Sequence, residues 1–120
     1  MKVVINQDFG GFGLSRNAFE LLLQRKGIEY EVVESKTFGF ERESFYHKGH
    51  AGDDQYYLSD YDFYDNRSDK DLVEVVETLA AGANGSYSNL KVVEIPDDVE
   101  WYIEEYDGRE HIAERHRTWS

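Results

Sequence analysis

Glu114 and His116 are the residues whose types and spacing first suggest chemistry. On an extended strand, residues two apart share a face with their Cα atoms roughly 6–7 Å apart, near enough for a carboxylate to orient an imidazole. Histidine titrates near neutrality and a neighbouring carboxylate raises its pKa, so the two are catalytic candidates for a small acid–base hydrolase. No nucleophile motif or metal-binding triad accompanies them. A Glu-His-Arg cluster that pins the chain to a sheet uses the same side chains without turnover, and so does a ligand site.

The element that must position this pair is a β-hairpin. Asp107-Gly108 lies between two extended runs and predicts a type I′ turn, whose positive φ at both central positions glycine accepts without steric cost. Counting outward pairs Tyr106 with Arg109, Glu104 with His111, Ile103 with Ile112, Tyr102 with Ala113, Trp101 with Glu114, Glu100 with Arg115 and Val99 with His116. Alternation then places Val99, Trp101, Ile103 and Ile112 on one face together with Glu105, Glu110, Glu114 and His116. Ionisable groups on an apolar face are costly to bury unless paired. Glu114 and His116 beside Trp101 therefore read as a satisfied structural pair or as part of a site.

A second candidate lies near the start, where Phe9-Gly10-Gly11-Phe12-Gly13 follows the apolar run Val3-Val4-Ile5. That run predicts a short strand, covered on both faces and central in a sheet. Ser15 is placed to cap a helix over 16–26 that buries Ala18, Phe19, Leu22 and Leu23 and stops at Gly27. With a strand over 28–33 this makes a β-loop-α-β unit. Glycines at a helix N-terminus let backbone N–H groups approach phosphate or carboxylate. The loop lacks both the Lys-Ser/Thr ending of a P-loop and the spacing of a dinucleotide fingerprint, so no cofactor is expected. Phe9 and Phe12 offer faces for a base, although phenylalanines in such loops also plug cores.

Residues 37–64 form an aromatic, acidic insertion, with extended stretches near 38–47 and 55–64 on either side of a turn region at 48–54. Aromatic residues anchor interfaces, so Tyr56, Tyr57, Asp60, Tyr61, Asp62 and Tyr64 are candidates for contacting a partner protein or a second copy of the chain. Completion of the core explains the same aromatics. His47, His50, Asp53 and Asp54 have metal-ligand side chains, but neither a helix nor tight spacing fixes their geometry, and no metal is expected.

A second helix starts at Ser68-Asp69-Lys70-Asp71, buries Leu72, Val73, Val75, Val76 and Leu79, and ends by Gly82. A strand over 90–95, stopped by Pro96, leads into the hairpin. The order predicts one α+β domain over 1–120: two helices packed on a mixed, largely antiparallel sheet, with a C-terminal hairpin and an inserted aromatic arm at 37–64. There is no cysteine, and the sequence shows neither a signal peptide nor a membrane-spanning apolar run, so a cytoplasmic setting is expected. The net charge of −12 argues against direct nucleic-acid or membrane-surface binding; it fits a strongly solvated surface first, and it also permits attraction to a basic partner.

Three stretches carry a resemblance: Phe9-Gly10-Gly11-Phe12-Gly13-Leu14-Ser15, Leu90-Lys91-Val92-Val93-Glu94-Ile95-Pro96-Asp97-Asp98, and Glu105-Tyr106-Asp107-Gly108 followed by Ala113-Glu114 and His116-Arg117-Thr118-Trp119. Together they resemble a family of small acidic proteins of bacteriophages and prophages. The resemblance covers about half of the chain and leaves the arm unmatched. It implies a phage accessory protein, acting in the infected cell without catalysis against a host defence, by occupying a defence protein or sequestering a small nucleotide. For a nucleotide, the expected ligand residues are Phe9, Gly10, Gly11, Phe12, Trp101, Arg117 and Trp119, with Arg supplying a planar fork for phosphate and the aromatics a stacking face. A virion or assembly component, self-associating through the arm, is the structural alternative.

Overall fold

Val3, Val4 and Ile5 are buried as their unbroken apolar run requires, and the strand they form organises the core. A computed structural model describes residues 1–115. In chain order these form β1 (Lys2–Asn6), α1 (Arg16–Arg25), β2 (Tyr30–Thr37), β3 (Phe40–His47), β4 (Tyr57–Leu58), α2 (Lys70–Leu79), β5 (Leu90–Glu94), β6 (Trp101–Tyr106) and β7 (Arg109–Glu114). The class is α+β, as expected, and the strands of the described residues fall into three antiparallel sheets, β1-β5, β2-β3-β4 and β6-β7.

β1 pairs with β5 from Lys2↔Glu94 to Asn6↔Leu90. Among the described residues no strand pairs with its other edge, so β1 is not central in a sheet as expected. Instead Val4 N–H donates to the Arg67 carbonyl at 2.9 Å, and Asn6 N–H donates to Glu110 Oε1 at 2.8 Å. A strand buried this deeply cannot leave its amides without acceptors, so a loop carbonyl and a side-chain carboxylate take the place of a neighbouring strand. The strand-loop-helix-strand order expected at the start is present as β1, α1 and β2, with β2 entering a different sheet from β1.

The helices begin and end where their local chemistry dictates. Ser15 Oγ accepts from Ala18 N–H at 3.1 Å, and at the other end Gly27, at φ 71°, closes α1 with Ile28 N–H donating to the Leu23 carbonyl at 2.9 Å. Asp69 caps α2 by accepting from Leu72 N–H at 3.0 Å. Ala18, Phe19, Leu22 and Leu23 of α1 meet Leu72, Val73, Val75 and Val76 of α2, and Phe45 and Leu58 join them from the second sheet, Phe45 meeting the Phe19 ring edge-on at 5.0 Å. The β6–β7 hairpin adds no side chain to this cluster.

Lys26 ties the end of α1 to the start of α2, its Nζ lying 2.8 Å from Asp69 Oδ1 and 3.3 Å from Asp71 Oδ2. Burial works to raise the Asp69 pKa, but the hydrogen bonds from Lys26 and Leu72 N–H outweigh it and hold the carboxyl below its ordinary value. A lowered folded-state pKa means that this stabilisation is present above the unfolded value, about 3.9, and is lost as pH falls through the folded one. Lys26 is opposite in sign: burial works to lower it, Asp69 and Asp71 raise it further, and its contribution is complete below about pH 10.4. Asp69→Asn is therefore expected to lower the urea midpoint at neutral pH and to flatten the acid limb between about pH 5 and pH 2. Acid limbs of equal slope in the two proteins would contradict this assignment.

The arm has a turn beyond the one expected. β2 and β3 pair along their whole length, from Tyr30↔His47 to Thr37↔Phe40, around a two-residue turn at Phe38-Gly39 with φ of 52° and 82°. The chain does fold back antiparallel over the expected turn region, residues 48–56 joining β3 to β4, but β4 is short and makes only the pairs Phe45↔Leu58 and Tyr46↔Tyr57. Two-residue loops with positive φ suit the twist of paired strands, and here the hairpin geometry holds a phenylalanine in a conformation that such side chains rarely adopt.

Candidate functional site

The β6–β7 register is the one counted from Asp107-Gly108, from Tyr106↔Arg109 out to Trp101↔Glu114, with Arg115 N–H donating to the Glu100 carbonyl at 2.9 Å. Of the carboxylates sharing the Trp101 face, Glu105 and Glu114 are exposed and Glu110 is buried. Its partner is Arg67. Nη1 and Nη2 of the guanidinium each lie 2.7 Å from a Glu110 oxygen, and both side chains are 2% exposed. Arg67 also donates from Nε to the Tyr64 carbonyl at 2.7 Å and from Nη1 to the Val4 carbonyl at 3.2 Å, while its plane covers the Phe12 ring at 3.9 Å. Bidentate pairing with further acceptors is what allows such an ion pair to be buried.

The glycine loop belongs to the same junction. Gly10 N–H donates to the Asp107 carbonyl at 3.0 Å, and Asn6 Nδ2 donates to the carbonyls of Asp8 and Gly108, each at 2.7 Å. A Cβ on Gly108 would come within 2.8 Å of Gly11 Cα, and one on Gly10 within 2.8 Å of Tyr87 Cβ. The loop is thus a seat for the hairpin turn. The Gly10 amide that would hold a phosphate is engaged by the chain itself, and Phe12 lies under Arg67 with its edge toward Tyr64. Of the expected ligand residues that are described, Phe9 presents an exposed aromatic side chain, 54% exposed, with the Arg109 guanidinium 5.9 Å from its ring centre. Trp101 is half-buried beside the exposed Glu114. His116, Arg117 and Trp119, and with them the expected Glu114/His116 pair and the Arg117 and Trp119 contacts, lie outside the described residues.

The opposite, solvent-facing side of the hairpin carries a chain of polar contacts that sequence reasoning paired across the strands without singling out. Tyr102 Oη donates to Glu104 Oε1 at 2.7 Å, and Glu104 Oε2 lies 2.6 Å from His111 Nε2. The Tyr102 hydroxyl and then His111 hold the Glu104 carboxyl below its ordinary pKa, and in return the Tyr102 hydroxyl is raised by Glu104. The cross-strand register was the available signal.

In the arm region the candidate partner residues divide. Asp60 Oδ2 accepts from Leu14 N–H at 3.0 Å, tying its turn to the segment before α1, and Asp62 Oδ2 accepts from Ser59 N–H at 3.0 Å, capping the short 3₁₀ turn that follows. Tyr56 stacks on His50 at 3.7 Å, and Tyr64 stacks on Tyr61 at 5.0 Å while its hydroxyl donates to Glu105 at 2.9 Å. That bond is the main reason the Tyr64 hydroxyl is raised above its ordinary pKa. Tyr57 and Tyr61 remain exposed. Phe38 and Phe40 at the arm tip, 95% and 75% exposed, complete the aromatic surface, and they were not among the expected partner residues. Among the described residues no group of three or more metal-ligating side chains converges, and Asp53 caps Gln55 N–H instead. No helix among them is long and apolar enough to cross a membrane. Comparison with protein-family models, curated proteins and solved structures finds nothing that matches this chain.

Proposed function

We propose that this chain is a binding protein that acts by occupancy: a phage accessory factor that covers a basic surface of a host defence protein in the cytoplasm of the infected cell. The observation that carries the reading is the arm, a two-stranded hairpin that holds Phe38 and Phe40 almost wholly in water. Burying such a side chain is worth about 1.5–3 kcal/mol, a gain this fold leaves for an interface. Charge elsewhere on the chain supports a basic target, since residues 49–66, which follow the end of β3 away from the Phe38-Gly39 turn, carry Asp53, Asp54, Asp60, Asp62 and Asp65 and no Lys or Arg. On a chain of net charge −12, steering by opposite charge would speed encounter and the aromatics would hold the complex. The origin in a phage rests on the sequence resemblance alone.

The test is capture from bacterial lysate by the immobilised full chain, compared with a Phe38→Ser/Phe40→Ser variant. Both positions are exposed, so thermal stability is expected to stay unchanged. A basic protein retained by the parent, released as salt rises, and held at least about tenfold more weakly by the variant would support occupancy through the arm. Equal retention by both proteins would remove the arm from the interaction.

A further inference from the structure

Where the polar face of the β6–β7 hairpin meets the end of β1, Ile5, Gln7, Phe9, Tyr106, Arg109, His111 and the Arg67-paired Glu110 line a cleft of about 430 Å³. Small-molecule sites span about 300–1,000 Å³. Phe9 and Tyr106 stand at this cleft as large aromatic side chains that the core does not use, Tyr106 being 75% exposed. Between them in the register is Arg109, directly opposite Tyr106 across the hairpin and over the Phe9 ring. Most described cations that lie near acids are tied to them: Lys2 to Glu77, Arg16 to Glu43, Arg25 to Glu74, Lys26 to Asp69 and Arg67 to Glu110. Arg109 makes no ion pair among the described residues, and the carboxylate next to it in sequence, Glu110, borders the cleft but has both oxygens bound by Arg67. His111, two residues along the same face, is held by Glu104.

We propose that this cleft binds a small phosphorylated molecule with a planar ring, of the nucleotide class. The ring packs against Phe9 and Tyr106, and the phosphate meets the Arg109 fork, with Gln7 supplying a hydrogen-bonding edge beside it. Stacking on aromatic faces tolerates any base, and the guanidinium recognises phosphate with two parallel donors. In this chain the phosphate fork is Arg109, on a strand held rigid by the Arg67–Glu110 junction, and the site is independent of the arm.

Titration of the isotopically labelled full chain with AMP, GMP, CMP and UMP, followed by amide chemical shifts, tests it. Saturable shifts clustered at Gln7, Phe9, Tyr106, Arg109 and His111 are the expected result. Adenosine, which lacks the phosphate, and ribose 5-phosphate, which lacks the ring, are each expected to bind at least about tenfold more weakly. Arg109→Ala and Phe9→Ala alter exposed side chains outside the core and should each weaken the monophosphates at least about tenfold, whereas Phe38→Ser/Phe40→Ser should leave their affinity unchanged. Absence of saturable shifts at millimolar nucleotide, or equal affinity of the Arg109→Ala and parent proteins, would overturn the proposal.

Discussion

Arg67→Ala is expected to lower the free energy of unfolding by about 3–5 kcal/mol, because it leaves the Glu110 carboxylate buried without a counter-charge. Total stabilities of domains this size are about 5–15 kcal/mol, so the loss would remove a large part of what holds the fold. Urea denaturation gives the number. The guanidinium also serves the Tyr64 and Val4 carbonyls and covers Phe12, so Arg67→Lys, which keeps the charge but loses the planar fork, should recover only part of the loss. A combined Arg67→Met and Glu110→Gln variant is the informative control. It buries no charge, and the new amide at 110 can still accept from Asn6 N–H, so it should be more stable than Arg67→Ala alone. A double variant no more stable than the single one would show that the ion pair is not what closes the edge of β1.

Gly108→Ala should be nearly as damaging for an unrelated reason. The added Cβ would lie 2.7 Å from Gly10 N and 2.8 Å from Gly11 Cα, and backbone atoms on a second loop cannot swing aside as a side chain can. The φ of 86° adds strain of about 1–2 kcal/mol for any residue with a Cβ. The turn must therefore lift from its seat, taking with it the Gly10 and Asn6 hydrogen bonds and opening the Arg67–Glu110 pair to water. Amide hydrogen exchange at Asn6 and Gly10 should accelerate by at least about a hundredfold, the equivalent of roughly 3 kcal/mol. Gly39→Ala provides the contrast, since its φ of 82° is similar but nothing lies within 4 Å of the added atom. It should cost only the backbone strain, and equal effects at the two positions would mean that the seat is not tightly packed.

The local signals explain what the sequence made legible. Asp107-Gly108 set the register of six cross-strand pairs, Ser15 and Gly27 bounded α1, and Asp69 began α2, because each depends on neighbours a few positions away. Parity placed Glu105, Glu110 and Glu114 on one face but could not choose among them. The choice is made by Arg67, 43 residues distant in the chain, which reaches only Glu110. The glycine loop misled for the same kind of reason: its close approach is to Gly108, a contact no spacing within the loop announces. Phe38-Gly39 escaped notice as a turn because phenylalanine is a poor residue for positive φ. Of the acids read as partner contacts, Asp62 caps a 3₁₀ turn, for which Ser59 three residues before it was a readable local sign, and Asp60 is taken up by the Leu14 amide, 46 residues distant in the chain.

The side chain that completes the edge of β1 has a consequence for how the protein is made. At bacterial synthesis rates of about 5–20 residues per second, roughly 2–9 s separate the appearance of Arg67 from that of Glu110 at the ribosome. β1 and α1 exist as sequence before that interval and α2 is added early in it, but throughout the arginine lacks the Glu110 carboxylate and the Asn6 amide lacks its acceptor. Closure of the N-terminal strand waits for the hairpin, and a chain interrupted before it presents an open strand edge and an unpaired cation to the cell's proteases.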